Sequence, residues 1–315
     1  MAVGGSSQAF QGVDESRLPE GTRLYRGKVR DVLTSPSAMI LVTTDRISAF
    51  DQVLGVLPGK GEILNQMSLH WFHETADIVP NHVVKELSAR SVQVRKAHVL
   101  PVEVIVRGYL TGSAWRDWRS GIVTPGLEDL GQASGWKAHQ KLPEPRVTPS
   151  TKAAVGAHDE PISHEQIVRQ GLVEESLWKQ VVETALKLYE RGRRKLAEQG
   201  LILVDTKYEF GLIEGKLTLV DEVHTPDCSR FWYLEDYDAA FREGREPKKL
   251  DKEYFRSWLL SQGYQGQGSV PNIPEAVWEG TLSRYREAFH LITGRDWQPS
   301  GNTPEAETQL LLSSL

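Results

Sequence analysis

The segment LILVDTKYEFGLIEGKLTLVDEVHTPDCSR, residues 201–230, constrains this 315-residue chain more than any other. It holds three strand-like runs, LILVD, KYEFGLI and KLTLVDEV, the last two joined across Glu214 and Gly215. The apolar neighbours Phe210, Leu219 and Val220 argue against an exposed hairpin and place it in a packed sheet. Two registers are open. A two-residue turn pairs Ile213 with Lys216 and Glu209 with Val220, whereas a three-residue turn sets Glu209 directly across from Asp221. Opposed residues on one face have Cβ atoms ~5 Å apart, so bare carboxylates there repel. A divalent cation removes that penalty, and Mg²⁺ characteristically takes one or two carboxylates plus phosphate oxygens. Glu209 and Asp221 are therefore the expected metal pair, held for a nucleotide.

Around this hairpin the chain changes character several times. Residues 1–20 are Gly/Ser-rich and read as a mobile leader. Short β-type runs recur from Leu24 to Val106, with GEILNQMSLHWFHETA between them as a buried helix. Residues 116–160 are rich in Gly, Pro and Ser and show little periodicity, which a compact domain seldom carries without functional use. Ser163 and Gln166 fit a capping box, and Leu177, Val181, Ala185, Leu188 and Leu196 form an amphipathic stripe ending in Arg193, Arg194 and Lys195 before Gly200. Beyond Trp232 the pattern is helical, with helices near Lys252–Ser261 and Glu275–Ile292. Strands first, then strand and helix mixed, give an α+β protein. The expected divisions are a leader (1–20), a β-rich lobe (21–115), an α+β lobe (116–235) and a helical extension (236–315) that caps the second lobe.

Composition excludes several classes. With 37 Lys and Arg against 42 Asp and Glu the net charge is −5, which is no basic footprint for nucleic acid, although a few placed cations can still focus potential on an anionic ligand. One cysteine, Cys228, gives no internal disulfide and no sign of an oxidising compartment. The N-terminus lacks the charges and apolar stretch of a secretion signal, and no apolar run nears the ~20 residues of a membrane helix, so the expected home is the cytosol. GVLPGKG around Lys60 lacks the spacing of a phosphate-binding P-loop, and His70 and His73 lack zinc spacing.

Cations gather at strand ends instead. LYRGKVRDV sets Arg26, Lys28 and Arg30 about Gly27, where backbone N–H groups approach phosphates and Lys28 neutralises them. In VIVRGYLTGSAW, Arg107 leaves an apolar strand for a Gly-rich turn ending in Ser113, a fork and a hydroxyl suited to phosphate or carboxylate. VTPSTKAAVGAHDEPIS contributes Lys152, and DCSRFW contributes Ser229 and Arg230. Two carboxylates, several Arg and two Lys form the inventory of ATP-dependent transfer onto an anionic acceptor.

Taken in order, LYRGKVRDV, DRISAFD, LPVEVIVRGYLTGS, LILVDTKYEFG and VDEVHTPDCSRFW resemble the phosphoribosylaminoimidazole-succinocarboxamide synthase (SAICAR synthetase) family, from about Tyr25 to Trp232, in its longer form. The resemblance implies a β-rich lobe and an α+β lobe with nucleotide between them, in the style of kinases and ATP-grasp enzymes. It implies a ligase joining L-aspartate to 4-carboxy-5-aminoimidazole ribonucleotide (CAIR), with ATP becoming ADP and phosphate. By motif, Lys28 and Lys152 contact ATP phosphates within a nucleotide site that includes Arg26, Gly27 and Arg30. Glu209 and Asp221 hold Mg²⁺. Arg107, Ser113 and Arg230, with Ser229 beside them, hold CAIR, while Asp205 and Lys207 line the site without an assigned role. Lys28, Lys152, Arg107 and Arg230 are the expected catalytic set. Partners are ATP, CAIR and L-aspartate, with no nucleic acid or membrane and a monomeric or small homo-oligomeric state.

The expected chemistry follows from the poor leaving group of a carboxylate: phosphorylation by ATP makes an acyl phosphate, which the aspartate amine then attacks. Neither a Ser–His pair nor Cys228 is needed, and His158 or Asp159 is a possible base. Two alternatives share the hairpin: another ATP-dependent carboxylate–amine ligase, and a nucleotide-binding protein without turnover.

Overall fold

The computed structural model describes residues 9–131, 135–152, 159–250 and 252–315. The chain forms two compact units, one from Met1–His70, His82–Lys96 and Asp251–Leu315, the other from Trp71–Asn81 and Ala97–Leu250.

The first unit is built on an antiparallel sheet. Strands β1 (Arg23–Arg26), β2 (Arg30–Thr34) and β3 (Met39–Thr43) meander, β4 (Arg46–Ala49) and β5 (Gln52–Val56) form a separate hairpin, and helix α1 (Lys60–Glu74) precedes β6 (Val83–Ser88) and β7 (Ser91–Val94). The sheet order is β1-β2-β3-β7-β6. Alternation along β2 and β3 sends Leu33, Ile40 and Val42 into a core with Phe10 and Val13. Residues 9–20 therefore do not behave as the mobile leader expected. The Asp45 and Asp31 carboxylates accept the N–H groups of Phe10 and Val13, both at 2.9 Å.

In the second unit β8 (His98–Leu110) leads into α2 (Gly112–Arg119) and then β9 (Gln140–Thr151); helices α3 (His164–Arg169) and α4 (Glu175–Ala197) follow. Next come β10 (Leu201–Ile213), β11 (Lys216–Val220), β12 (Ser229–Tyr233) and α5 (Leu234–Glu243). The sheet runs β11-β10-β8-β9, with β12 also on β10. LILVD and KYEFGLI, separate runs in the sequence, are one 13-residue strand, buried almost throughout because β10 is central in its sheet. The Ser163–Gln166 capping box is present. Helix α4 buries Val181, Ala185, Leu188 and Leu196 of the stripe, joined by Trp178 and Tyr189, while Leu177 is half-buried.

Two expectations are corrected, and one open choice is settled. The irregular stretch 116–160 contains β9, masked in the sequence by Pro143, Pro145 and Pro149. Among the described strands β9 pairs with β8 alone, with one isolated bridge from Ser150 to Pro161 on its outer side, and an edge strand tolerates residues without an N–H. The hairpin turn has two residues, with Glu214 and Gly215 both left-handed (φ 52° and 75°), so Glu209 faces Val220 and not Asp221. The C-terminal helices α6 (Glu253–Ser261), α7 (Glu275–Thr293) and α8 (Pro304–Ser313) do not cap the second lobe but belong to the first unit, while α5 stays with the second. Buried polar contacts dock this tail. Glu62 accepts the N–H and O–H of Ser300 at 3.1 and 2.6 Å, Glu307 accepts the Ser91 hydroxyl at 3.0 Å, and Leu311 enters the core of Leu33. Among the described residues no helix is long and apolar enough to cross a membrane.

Candidate active site

In the first unit the turn between β1 and β2 carries Gly27 and Lys28. The Gly27 N–H bonds the Arg30 carbonyl at 2.8 Å, and the guanidinium of Arg46, the first residue of β4, collects the carbonyls of Gly27 (2.9 Å) and Lys28 (3.1 Å). Arg46 is itself fixed by the fully buried Asp31 carboxylate at 2.7 Å. With its carbonyls drawn inward, the turn leaves the Lys28 ammonium outside, where it pairs with Asp51. Arg26 lies along the same edge and donates to the Val13 carbonyl at 2.6 Å. Arg30 is half-buried.

In the second unit the period-2 geometry of β10 puts Asp205, Lys207 and Glu209 on one face. Their partners across β8 are Arg107, Ile105 and Glu103. Two charged clusters result. In the first, the Lys207 ammonium donates to Glu103 (2.8 Å) and Glu209 (2.6 Å), and Lys152 pairs with the other Glu209 oxygen. Burial disfavours the Glu209 carboxylate, but Lys207 and Lys152 outweigh it and hold that carboxyl below the usual range. Burial likewise opposes the Lys207 ammonium, and the charges of Glu209, Glu103 and Asp221 overcome it, raising its pKa well above the ordinary value. Asp221 thus acts on this cluster through its field, from a left-handed position (φ 68°) one residue beyond β11. Burial pushes Glu103 above the ordinary carboxyl value despite Lys207.

The second cluster is centred on Asp205. One carboxylate oxygen accepts from Arg107 at 3.3 Å and from Arg230 at 2.5 Å. Arg107 also donates to the Thr148 hydroxyl (2.8 Å) and to Ser113 at the start of α2 (3.3 Å). Gly112, left-handed at φ 59°, lets the Arg230 guanidinium lie against the backbone; a Cβ there would sit 2.8–2.9 Å from three of its atoms. Two guanidinium groups sharing one carboxylate leave a net positive charge aimed at an anion.

Within the second unit the structure brings together Arg107, Ser113, Asp205 and Arg230, and separately Lys152, Lys207 and Glu209 with Asp221 in range. Ser229 is not among them, since its hydroxyl bonds Thr206 at 2.7 Å and is buried. Asp159 lies close enough to Glu103 to bear on its charge, and His158 falls outside the described residues. Burial pushes the thiol of the half-buried Cys228 up to about 12. Four participants escaped the sequence reading: Glu103, Arg46, Asp51 and Thr148. Glu103 had a signal, as a charge alternating with buried Val102 and Val104 and sharing a face with Arg107.

Among the described residues no three His, Cys, Asp or Glu side chains form a metal-holding group. The donors present suit an ion held by one or two carboxylates and completed by phosphate oxygens, the usual form for magnesium on a nucleotide.

A sheet face with lysine-neutralised carboxylates at one end and a guanidinium pair at the other is the equipment of an enzyme for phosphate-bearing anions. The sequence and fold relatives make the class specific. The SAICAR synthetase family matches residues 23–272, beyond the Tyr25–Trp232 over which the motifs run. The chain is 43% identical over 294 residues to phosphoribosylaminoimidazole-succinocarboxamide synthase of Bacteroides fragilis, covering 92% of this chain and 93% of that one. It is 39% identical over 305 residues to the same enzyme of Legionella pneumophila, covering 94% and 96%. Its fold matches SAICAR synthase from Saccharomyces cerevisiae, complexed with SAICAR, with a TM-score of 0.77 and 35% identity over 92% of this chain and all of that one. The chain belongs to the SAICAR synthetase family, and it is an ATP-dependent ligase of purine biosynthesis.

Proposed function

We propose that the chain joins L-aspartate to the CAIR carboxylate through an acyl phosphate, using the two clusters on β10. The carrying observation is their spacing. Asp205 and Glu209 are four residues apart on one strand face, about 13 Å at ~3.3 Å per residue. A ribonucleotide lying along β10 with its phosphate at Arg107, Arg230 and Ser113 points its base toward Glu209, Lys207 and Lys152. The SAICAR complex of the yeast enzyme supports a product bound on this fold.

Lys28 and Lys152 neutralise ATP phosphates, so that an anionic acceptor can approach a polyanion. Glu209 and Asp221 would hold magnesium, which would supply positive charge at those phosphates, while Lys207 orients the Glu209 carboxylate. A carboxylate oxygen of CAIR attacks the γ-phosphorus and ADP leaves. The aspartate amine attacks the acyl carbon, phosphate departs with that oxygen, and the amine loses a proton.

With ¹⁸O in the CAIR carboxylate, one labelled oxygen should appear in the released phosphate; unlabelled phosphate rules the acyl phosphate out. Glu209→Gln should abolish the magnesium dependence of nucleotide binding and lower kcat/KM by roughly a hundredfold or more. ADP release with CAIR and aspartate omitted in turn separates this reading from a ligase of other substrates.

A further inference from the structure

We propose that the C-terminal segment around α6 is a positioning element for the Lys28 phosphate turn, acting through the tip of the β4–β5 hairpin. This rests on the reading that Lys28 contacts ATP phosphates. The hairpin turns in two residues, Phe50 and Asp51, between the paired Ala49 and Gln52. Both are left-handed, at φ 51° and 63°. Such turns are ordinarily made by Asn-Gly or Asp-Gly, and an aromatic residue seldom adopts that backbone unless its surroundings impose it.

The tail supplies those surroundings. The Arg256 guanidinium lies 5.2 Å over the Phe50 ring, and the Tyr264 ring meets it edge-on at 6.2 Å. Gly266, at φ 92°, comes so close that an added Cβ would stand 2.9 Å from both the Phe50 Cβ and its carbonyl oxygen. Lys252 reaches Ser48 of the same hairpin at 3.5 Å. The hairpin in turn grips the phosphate turn at two places. Arg46, at its base, binds the Gly27 and Lys28 carbonyls, and Asp51, at its tip, pairs with the Lys28 ammonium. The strained tip therefore fixes where Lys28 points, and the tail fixes the tip. Phe50, Arg256 and Tyr264 are positioning residues, since none needs to touch substrate.

The test compares KM for ATP, KM for CAIR, and kcat in R256A, R256K, F50N and R256A/F50N, with K28A alongside. R256A should raise KM for ATP about three- to fivefold, the worth of an exposed cation–π contact, with KM for CAIR and kcat unchanged. R256K, which keeps a cation over the ring, should recover most of the loss. Asn enters the left-handed region readily, so F50N should make R256A silent. An unchanged KM for ATP in R256A, or a parallel rise in every KM, overturns the proposal. If K28A itself leaves KM for ATP unchanged, the reading of Lys28 falls; if K28A raises it and R256A does not, only the role of the tail falls.

Discussion

His224 offers a direct physical test of the second unit. Its ring is fully buried, 4.6 Å from the Trp71 ring and edge-on to it, and its Nε2 shares a 2.5 Å hydrogen bond with the Tyr208 hydroxyl of β10. Nδ1 has no partner among the described residues, and it lies against Gly192 of α4, where a Cβ would come within 2.7 Å of it. Burial pulls the imidazole down to about 3. The unfolded chain takes up a proton near pH 6.5 and the folded chain does not until about 3, so the unfolded state binds more protons throughout that window. Stability must then fall as pH falls, by up to about 1.4 kcal/mol per pH unit, or about 2 kcal/mol between pH 6.5 and 4.5. His139, also depressed by burial, acts in the same direction, and Glu103, raised by burial, acts oppositely, so the contribution is isolated by difference. Urea unfolding of the wild type and of His224→Gln, whose amide can still bond Tyr208, should give stability curves that diverge below pH 6.5 by that amount. Parallel curves from pH 6.5 to 4.5 would refute the neutral, buried histidine.

Two further outcomes follow from the local geometry. Gly112→Ala should raise KM for CAIR about tenfold, because it forces a left-handed alanine and displaces the Arg230 guanidinium; an unchanged value in steady-state kinetics would detach Arg230 from substrate. Cys228 should react with iodoacetamide at pH 8 at least about a hundredfold more slowly in the folded enzyme than in urea, since its thiolate is suppressed; equal rates would show that the fold does not suppress the thiolate.

The parts legible in the sequence were those fixed by local chemistry. Glu214-Gly215 announces a turn but not its length, Ser163 and Gln166 announce a helix start, and the α4 stripe announces its buried face. The Asp205, Lys207 and Glu209 grouping was visible as a motif, but its electrostatic logic was not, because Glu103 arrives from β8, 106 positions before Glu209. The Glu209–Asp221 opposition failed because the left-handed pair at the turn took the shorter connection. The position of the tail was unreadable for a related reason. Ser300 and Glu307 look like surface residues until Glu62 and Ser91, more than 200 positions earlier, supply their partners. Local propensity yields helices but not their destination.

The proline-bearing edge strand also governs how this protein behaves in company. An open strand edge is a template on which another polypeptide can continue the sheet. Here Pro143 and Pro145 fall in the irregular stretch between the Lys141 and Arg146 pairings of β9, and Pro149 lies where its carbonyl already takes the Ile162 N–H at 3.1 Å. Three positions in the strand thus have no hydrogen to offer, and the last is covered by the chain's own backbone. At high concentration, this edge of the sheet that carries the charged clusters is blunted against growth by strand addition, so recruitment into aggregates would have to begin elsewhere on the molecule.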